Sequence, residues 1–213
     1  MKGLFLILTA LCAYFLGGIN GAIIASKYLF RQDVRRYGSG NAGLTNFYRT
    51  YGAAGLLLVL GVDIGKSVLA LLIGKGLLGL TDMAAADCLY AGFFLILGHF
   101  YPAFYQFRGG KGVLCAGVIA VMTDWRVGLF CLLIFALVLA CTRYISLGSM
   151  LGTFSFPFLL FLFGHRDPWE LGLAVLCVAA VIWKHSPNIR RLMQGTESRF
   201  AVKKRGDAGE KSS

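Results

Sequence analysis

Residues 53–80, AAGLLLVLGVDIGKSVLALLIGKGLLGL, carry only Asp63, Lys66 and Lys75 as charged side chains. The run exceeds the roughly 20 apolar residues that a helix needs to cross a bilayer. It does not alternate polar with apolar residues, as a half-buried strand would. Inside lipid the backbone must satisfy its own N–H and C=O groups, so a spanning segment is a helix or part of a closed barrel. Asp63, Gly65 and Lys66 interrupt the run, which reads as one kinked helix or two short ones. An unpaired charge at mid-bilayer costs about 2.5–3.5 kcal/mol on insertion scales. Asp63 and Lys66, three apart, can pair on a helix; otherwise they mark a helix break near the interface.

Six further apolar runs flank this one, at 3–28, 87–100, 112–123, 127–142, 147–164 and 169–184. The pattern predicts an all-α integral membrane protein, a bundle of about seven transmembrane helices. Composition agrees: 57% of the residues are hydrophobic and 15% charged, against about 25% charged in soluble domains, and mean hydropathy is +0.70. The run at 112–123 is short for a straight span and is either tilted or partly re-entrant. Lys2 and the apolar stretch from Leu4 resemble a signal peptide. The stretch continues to about Tyr28 without an Ala-x-Ala-like site, so it is expected to be a retained span.

Net charge is +11. Loops 29–52, 101–111 and 143–146 and the tail 185–213, with their flanks, hold sixteen of the 21 Lys and Arg residues. Lys2, Lys75, Arg126 and Arg166 fall on the other side. Basic residues accumulate in cytoplasmic loops, so the N-terminus is expected outside and the C-terminus in the cytoplasm. Residues 1–200 read as a single polytopic domain and 201–213 as a polar, disordered cytoplasmic tail. Membrane lipids are expected neighbours, and anionic headgroups or phosphate substrates suit the basic loops. Nucleic acid is not an expected partner, because the basic residues sit between apolar spans. The six cysteines lie in or beside apolar runs without a CxxC pair, so no disulfide, metal site or cofactor is expected.

Three inner loops are richer than connectors. The first, Arg35–Gly52, reads RRYGSGNAGLTNFYRTYG. Gly38, Gly40 and Gly43 let backbone N–H groups converge on an anion. Ser39, Asn41, Thr45 and Asn46 add hydroxyls and amides, and Arg49 a fork that matches phosphate oxygens. The second, Gly98–Val113, reads GHFYPAFYQFRGGKGV. Gly109, Gly110 and Gly112 surround Lys111 and lead into a helix, whose N-terminus attracts anions. The nucleotide P-loop spacing is absent. The aromatic residues from Phe100 to Phe107 suit a membrane interface. His99 is either a hydrogen-bonded structural histidine or a site group. In the third loop Ser146 and Ser149 share a helix face and either pack against neighbours or join the site. In the C-terminal stretch WKHSPNIRRLMQGTESRF, 183–200, His185, Asn188 and Arg191 recur every third residue. Glu197 is available to pair with a basic loop residue.

The strings GSGNAGLTNFYR, GHFYPAFYQFRGGKGV, SLGS and KHSPNIRRLMQGTE, in this order among apolar spans, resemble the bacterial acyl-phosphate:glycerol-3-phosphate acyltransferase family, PlsY. The resemblance covers roughly residues 1–200. It implies a multi-pass protein of the bacterial cell membrane with its active site at the cytoplasmic face. It also implies transfer of an acyl chain from acyl phosphate to the sn-1 hydroxyl of glycerol 3-phosphate. The products are lysophosphatidic acid and phosphate, in phospholipid biosynthesis. By resemblance Ser39, Thr45, Asn46, Arg49, Lys111, His185 and Asn188 belong to the site. The chain departs from the family pattern at Leu44, Ser67, Arg108, Leu114–Cys115 and Pro187.

His185, Asn188, Ser39 and Lys111 form the expected catalytic set. Gly38, Gly40, Asn41, Thr45, Asn46, Arg49, His99, Gly109, Gly110, Gly112, Ser146 and Ser149 form the expected substrate-binding set. An acyl phosphate is already activated, so direct attack by the glycerol hydroxyl needs no covalent intermediate. The proton acceptor is His185, His99 or a substrate phosphate. Asn188 or Asn46 is the candidate oxyanion donor. Ser39 has no visible triad partner and reads as a binding group. The competing reading is a transporter or channel for phosphate-bearing solutes, with Asp63 and Lys66 as a pathway pair.

Overall fold

The structure is a computed structural model in which residues 1–79, 81 and 86–200 are described. The tail expected at 201–213 lies outside the described residues. Among the described residues all regular structure is helical. The run at 53–80 does not divide: Leu56–Leu78 is one helix, here α4. The break falls instead in the first apolar run, between α1 (Lys2–Gly18) and α2 (Gly21–Phe30). Asn20 caps α2, its Oδ1 accepting from the Ile23 amide at 2.9 Å.

A helix break leaves carbonyls and amides without helical partners, and α4 supplies them. Lys66 Nζ donates to the carbonyls of Gly17 and Ile19 at 3.2 and 2.5 Å. Asp63 Oδ1 accepts from the Gly21 amide at 3.1 Å. The two side chains pair at 2.7 Å and are 3% exposed or less. Desolvating such a pair costs several kcal/mol unless further hydrogen bonds satisfy it, and here they do. Asp63 and Lys66 therefore serve the break in a neighbouring span. Their bonds run to helix ends, which removes the feature that favoured a solute pathway.

Every apolar run forms helix. After α3 (Leu44–Tyr51) and α4 come α5 (Asp87–Phe100), α6 (Val113–Thr123), α7 (Trp125–Thr142), α8 (Ile145–Phe154), α9 (Phe156–Leu162), α10 (Pro168–Lys184) and α11 (Ser186–Met193). Five stretches are long and apolar enough to cross a membrane: Lys2–Phe30, Leu56–Leu78, Asp87–Tyr105, Trp125–Thr142 and Ile145–Leu162. A sixth arises if α10 and α11, bent by 56° about His185, count as one. The 11-residue α6 is shorter than a straight span. Helices α1, α4 and α5 pack around a core containing Ala13, Leu71, Leu95 and Ile96. Large apolar side chains on α7 stay exposed, Leu132 at 59% and Leu137 at 65%. A continuous apolar face of this kind suits lipid and not water.

The short helices α3 and α11 are amphipathic. Phe47 of α3 is buried with Ile23, Val34 and Val59, and Asn188 of α11 is buried beside the site. At the opposite end, Asp124 caps α7 and Asp167 caps α10. His165 joins them, lying 2.8 Å from Glu170 Oε1 and 3.4 Å from Asp124 Oδ2.

Candidate active site

The first glycine loop is shaped from below by Asn46, in the first turn of α3. Its Oδ1 accepts from the Ser39 amide at 2.9 Å, and its Nδ2 donates to the carbonyls of Val34 and Tyr37 at 3.1 and 3.0 Å. Both amide hydrogens are thus spent on the backbone, and neither remains for an oxyanion. Gly38 has φ +57° and its α-carbon faces Asn46 Oδ1 so closely that a β-carbon would collide with it. Arg35 ties this loop to the second. Its Nη1 donates to the carbonyls of Tyr105 at 2.6 Å and Arg108 at 3.2 Å. Asp33 holds Arg35 at 2.7 Å, and that hydrogen bond holds the Asp33 carboxyl below the usual range.

The second loop folds back over α5. The amides of Gly109 and Gly110 donate to the carbonyls of Phe100 and His99 at 3.1 and 3.0 Å. Gly110 lies against His99 Nε2 and the Ala42 carbonyl, leaving no room for a β-carbon. The Ala42 carbonyl also accepts from Asn20 Nδ2 at 3.0 Å, so the two glycine loops meet over the α1–α2 break. His99 Nδ1 lies 2.9 Å from Lys66 Nζ. An ammonium can only donate, so Nδ1 accepts and the neutral ring carries its proton on Nε2. That tautomer makes His99 a donor and a prop for the loop, and disqualifies it as a proton acceptor. Gly112 precedes α6, which no side chain caps.

The C-terminal segment closes the arrangement through Glu197. Its carboxylate accepts from Ser146 Oγ, Asn188 Nδ2 and Arg191 Nε, each at 2.7 Å. Burial pushes this carboxyl up, but the three hydrogen bonds outweigh it and hold the group below its ordinary value. Lys111 Nζ donates to Asn188 Oδ1. Burial, with Arg191 and Arg49 nearby, pushes the Lys111 ammonium down to about 8. Arg49 Nη2 donates to the Ser198 carbonyl at 3.2 Å. The Phe200 amide donates to the Arg143 carbonyl at 2.7 Å. His185 Nδ1 donates to the Val181 carbonyl at 2.8 Å, which leaves Nε2 with a free lone pair. Ser149 Oγ donates to the Ile145 carbonyl of its own helix at 2.8 Å.

These groups meet at one cavity of about 850 Å³. Ser39, Thr45, Arg49, Lys111, Ser146, His185 and Asn188 line its polar end. Its remainder runs along α6 and α7 past Leu114, Val118, Val121, Leu132 and Phe135. An anion cradle is thus continuous with a hydrocarbon-lined groove. Asn41, Asn46, His99, Gly112 and Ser149 also reach this wall. Gly40 and Gly109 line a smaller adjoining cavity, while Gly38 and Gly110 act as packing points of the loops. The sequence reading missed the supporting roles of Asn20, Arg35 and Lys66. Their only signal was a polar residue within an apolar run or beside a glycine loop. Among the described residues no His, Cys, Asp and Glu cluster has the arrangement of a metal site.

The chain is similar to known proteins over nearly its whole length. The family described as glycerol-3-phosphate acyltransferase matches residues 7–195. A glycerol-3-phosphate acyltransferase of Thermoanaerobacter pseudethanolicus is 38% identical over 200 residues, covering 94% of this chain and 98% of the relative. Glycerol-3-phosphate acyltransferase 1 of Deinococcus radiodurans is 41% identical over 203 residues, covering 92% and 98%. The crystal structure of PlsY, an integral membrane glycerol 3-phosphate acyltransferase, in its glycerol 3-phosphate form, superposes with a TM-score of 0.82. It is 34% identical and covers 92% of this chain and 96% of that one.

Proposed function

The chain belongs to the glycerol-3-phosphate acyltransferase family, and from that premise we propose that it transfers an acyl chain from acyl phosphate to the sn-1 hydroxyl of glycerol 3-phosphate. The products are lysophosphatidic acid and inorganic phosphate. The observation that carries this reading is the joining of Arg49 and Lys111, at one polar end, to the apolar α6–α7 groove in a single cavity. Two phosphate-bearing substrates need cations to offset their repulsion, and an acyl chain needs a dry wall. Both requirements are met within one space.

In this scheme Arg49, Lys111, Ser39 and Thr45 hold the phosphates. The glycerol hydroxyl attacks the acyl carbonyl carbon, and the bond from that carbon to the phosphate oxygen breaks. His185 Nε2, whose ring is oriented by the Nδ1–H bond to Val181, accepts the hydroxyl proton. Asn188 commits one amide hydrogen to Glu197 and keeps the other for the developing oxyanion. Asn46 and His99, at the cavity wall, fix the two glycine loops.

The protein is a multi-pass membrane protein. We further read α6 and the bent α10–α11 pair as crossing with the other five stretches, which gives seven spans in a single domain over 1–200. The excess of Lys and Arg on the site's side supports a cytoplasmic active site, an outside N-terminus and a cytoplasmic tail. The test is phosphate release by the purified protein from palmitoyl phosphate. Release is expected only when glycerol 3-phosphate is present; none under those conditions would refute the reading.

A further inference from the structure

A second cavity, of about 390 Å³, adjoins the first, within the range of small-molecule sites. Ser39, Asn41, Lys111, Asn188 and Arg191 line both, so the Lys111–Asn188 bond stands on the boundary between them. The chemistry of the two spaces differs. The larger is mostly hydrocarbon wall. The smaller presents three cations, Lys111, Lys184 and Arg191, and no carboxylate.

Lys184 is the cation peculiar to the smaller cavity. Its Nζ sits 4.1 Å from the centre of the Tyr101 ring and donates to the Phe100 carbonyl at 3.4 Å. Among the described residues no carboxylate pairs with it, whereas Lys66 has Asp63 and Arg191 has Glu197. An ammonium carries three donors. One long bond and a cation–π contact hold Lys184 in place and leave hydrogen-bonding capacity for an anion.

We propose that this cavity is a separate port for the water-soluble phosphomonoester substrate and for the departing inorganic phosphate, with Lys184 as the receiving cation. The acyl chain keeps the α6–α7 groove. The proposal rests on the acyltransferase reading. Its physical basis is that a multiply charged phosphate cannot cross an apolar groove cheaply, yet must reach Lys111. A second, polar cavity that shares Lys111 with the groove lets each substrate arrive through its own medium.

The test is steady-state kinetics on the full chain in detergent. Glycerol 3-phosphate and palmitoyl phosphate are varied separately, with inorganic phosphate as product inhibitor. Lys184→Gln is expected to raise the glycerol 3-phosphate KM at least fivefold and to weaken phosphate inhibition by a similar factor. The palmitoyl phosphate KM should stay within twofold, and Lys184→Arg should restore both values. Ser186→Tyr fills the cavity without removing charge and should also raise the glycerol 3-phosphate KM; it carries the test if Lys184→Gln does not fold. An unchanged glycerol 3-phosphate KM in a folded variant, or an equal rise for palmitoyl phosphate, overturns the port. A raised KM with unchanged phosphate inhibition removes the exit role. Failure of the acyltransferase reading looks different: the unaltered protein would then release no phosphate at any glycerol 3-phosphate concentration.

Discussion

Lys111 Nζ donates to Asn188 Oδ1 across 77 positions of sequence, joining the second glycine loop to the start of α11. The same amide group donates to Glu197, which in turn holds Ser146 and Arg191. One cation is thereby placed by α11, the segment that follows it, and α8. Arg49 lines the same cavity. Lys111→Ala and Arg49→Ala are each expected to lower kcat/KM at least tenfold, a loss of about 1.4 kcal/mol or more in transition-state stabilisation. Phosphate-release assays check this, and near-normal rates would remove either residue from the cradle.

The lowered pKa of Lys111, about 8, gives a pH signature. The ammonium is charged below that value and neutral above it, so anion affinity falls as pH rises through about 8. The profile of kcat/KM, which reports groups of the free enzyme, should therefore descend on its alkaline side near pH 8. Lys111→Arg, with a guanidinium that stays protonated, should move that limb to higher pH. An unshifted limb would assign it to another group.

The buried pair of Asp63 and Lys66 should show the asymmetry of buried charges. Lys66→Met leaves Asp63 charged and unpaired, which costs about 3–5 kcal/mol. Asp63→Asn combined with Lys66→Met leaves no buried charge at the α1–α2 break. Thermal unfolding in detergent should place the double variant above the single one. The reverse order would mean that the pair does not hold the α1–α2 break.

Gly110 presses against His99 Nε2 and the Ala42 carbonyl. Gly110→Ala should push the two glycine loops apart and lower activity at least tenfold, with a smaller proportional effect on the melting temperature than Lys66→Met. A loss of fold matching the loss of activity would contradict a local role.

Glu197 titrates below its ordinary value because its three hydrogen-bond donors favour the charged form. A depressed carboxyl contributes stability that is present above its unfolded value and lost as pH falls through the folded one. As pH falls below about 4.5, the ordinary value of this carboxyl, stability should therefore decline less in Glu197→Gln than in the unaltered protein. Equal slopes would show that Glu197 does not drive the acid limb.

The membrane class and the helix-bearing runs were legible because apolar length and unbroken hydropathy are local properties. The glycine loops, Arg49, Lys111, His185 and Asn188 stood out because they lie in short polar strings between apolar runs, and the fold brings them to one cavity. The position of the helix break was not legible. Asp63 and Lys66 advertised a break in their own run, yet α4 is continuous and they mend one in α1–α2. Nor could sequence spacing reveal that Asn46 spends its amide on Val34 and Tyr37. The opposite tautomers of His99 and His185 follow only from their neighbours, Lys66 in one case and the Val181 carbonyl in the other. Hydropathy sums over neighbours in the chain, whereas a hydrogen bond is directional and its partner can lie anywhere in it. The sequence by itself determined that this protein lives in lipid and sets cations beside glycine loops. Only the tertiary structure decided which polar groups remain free to meet a substrate and which are consumed in holding the loops.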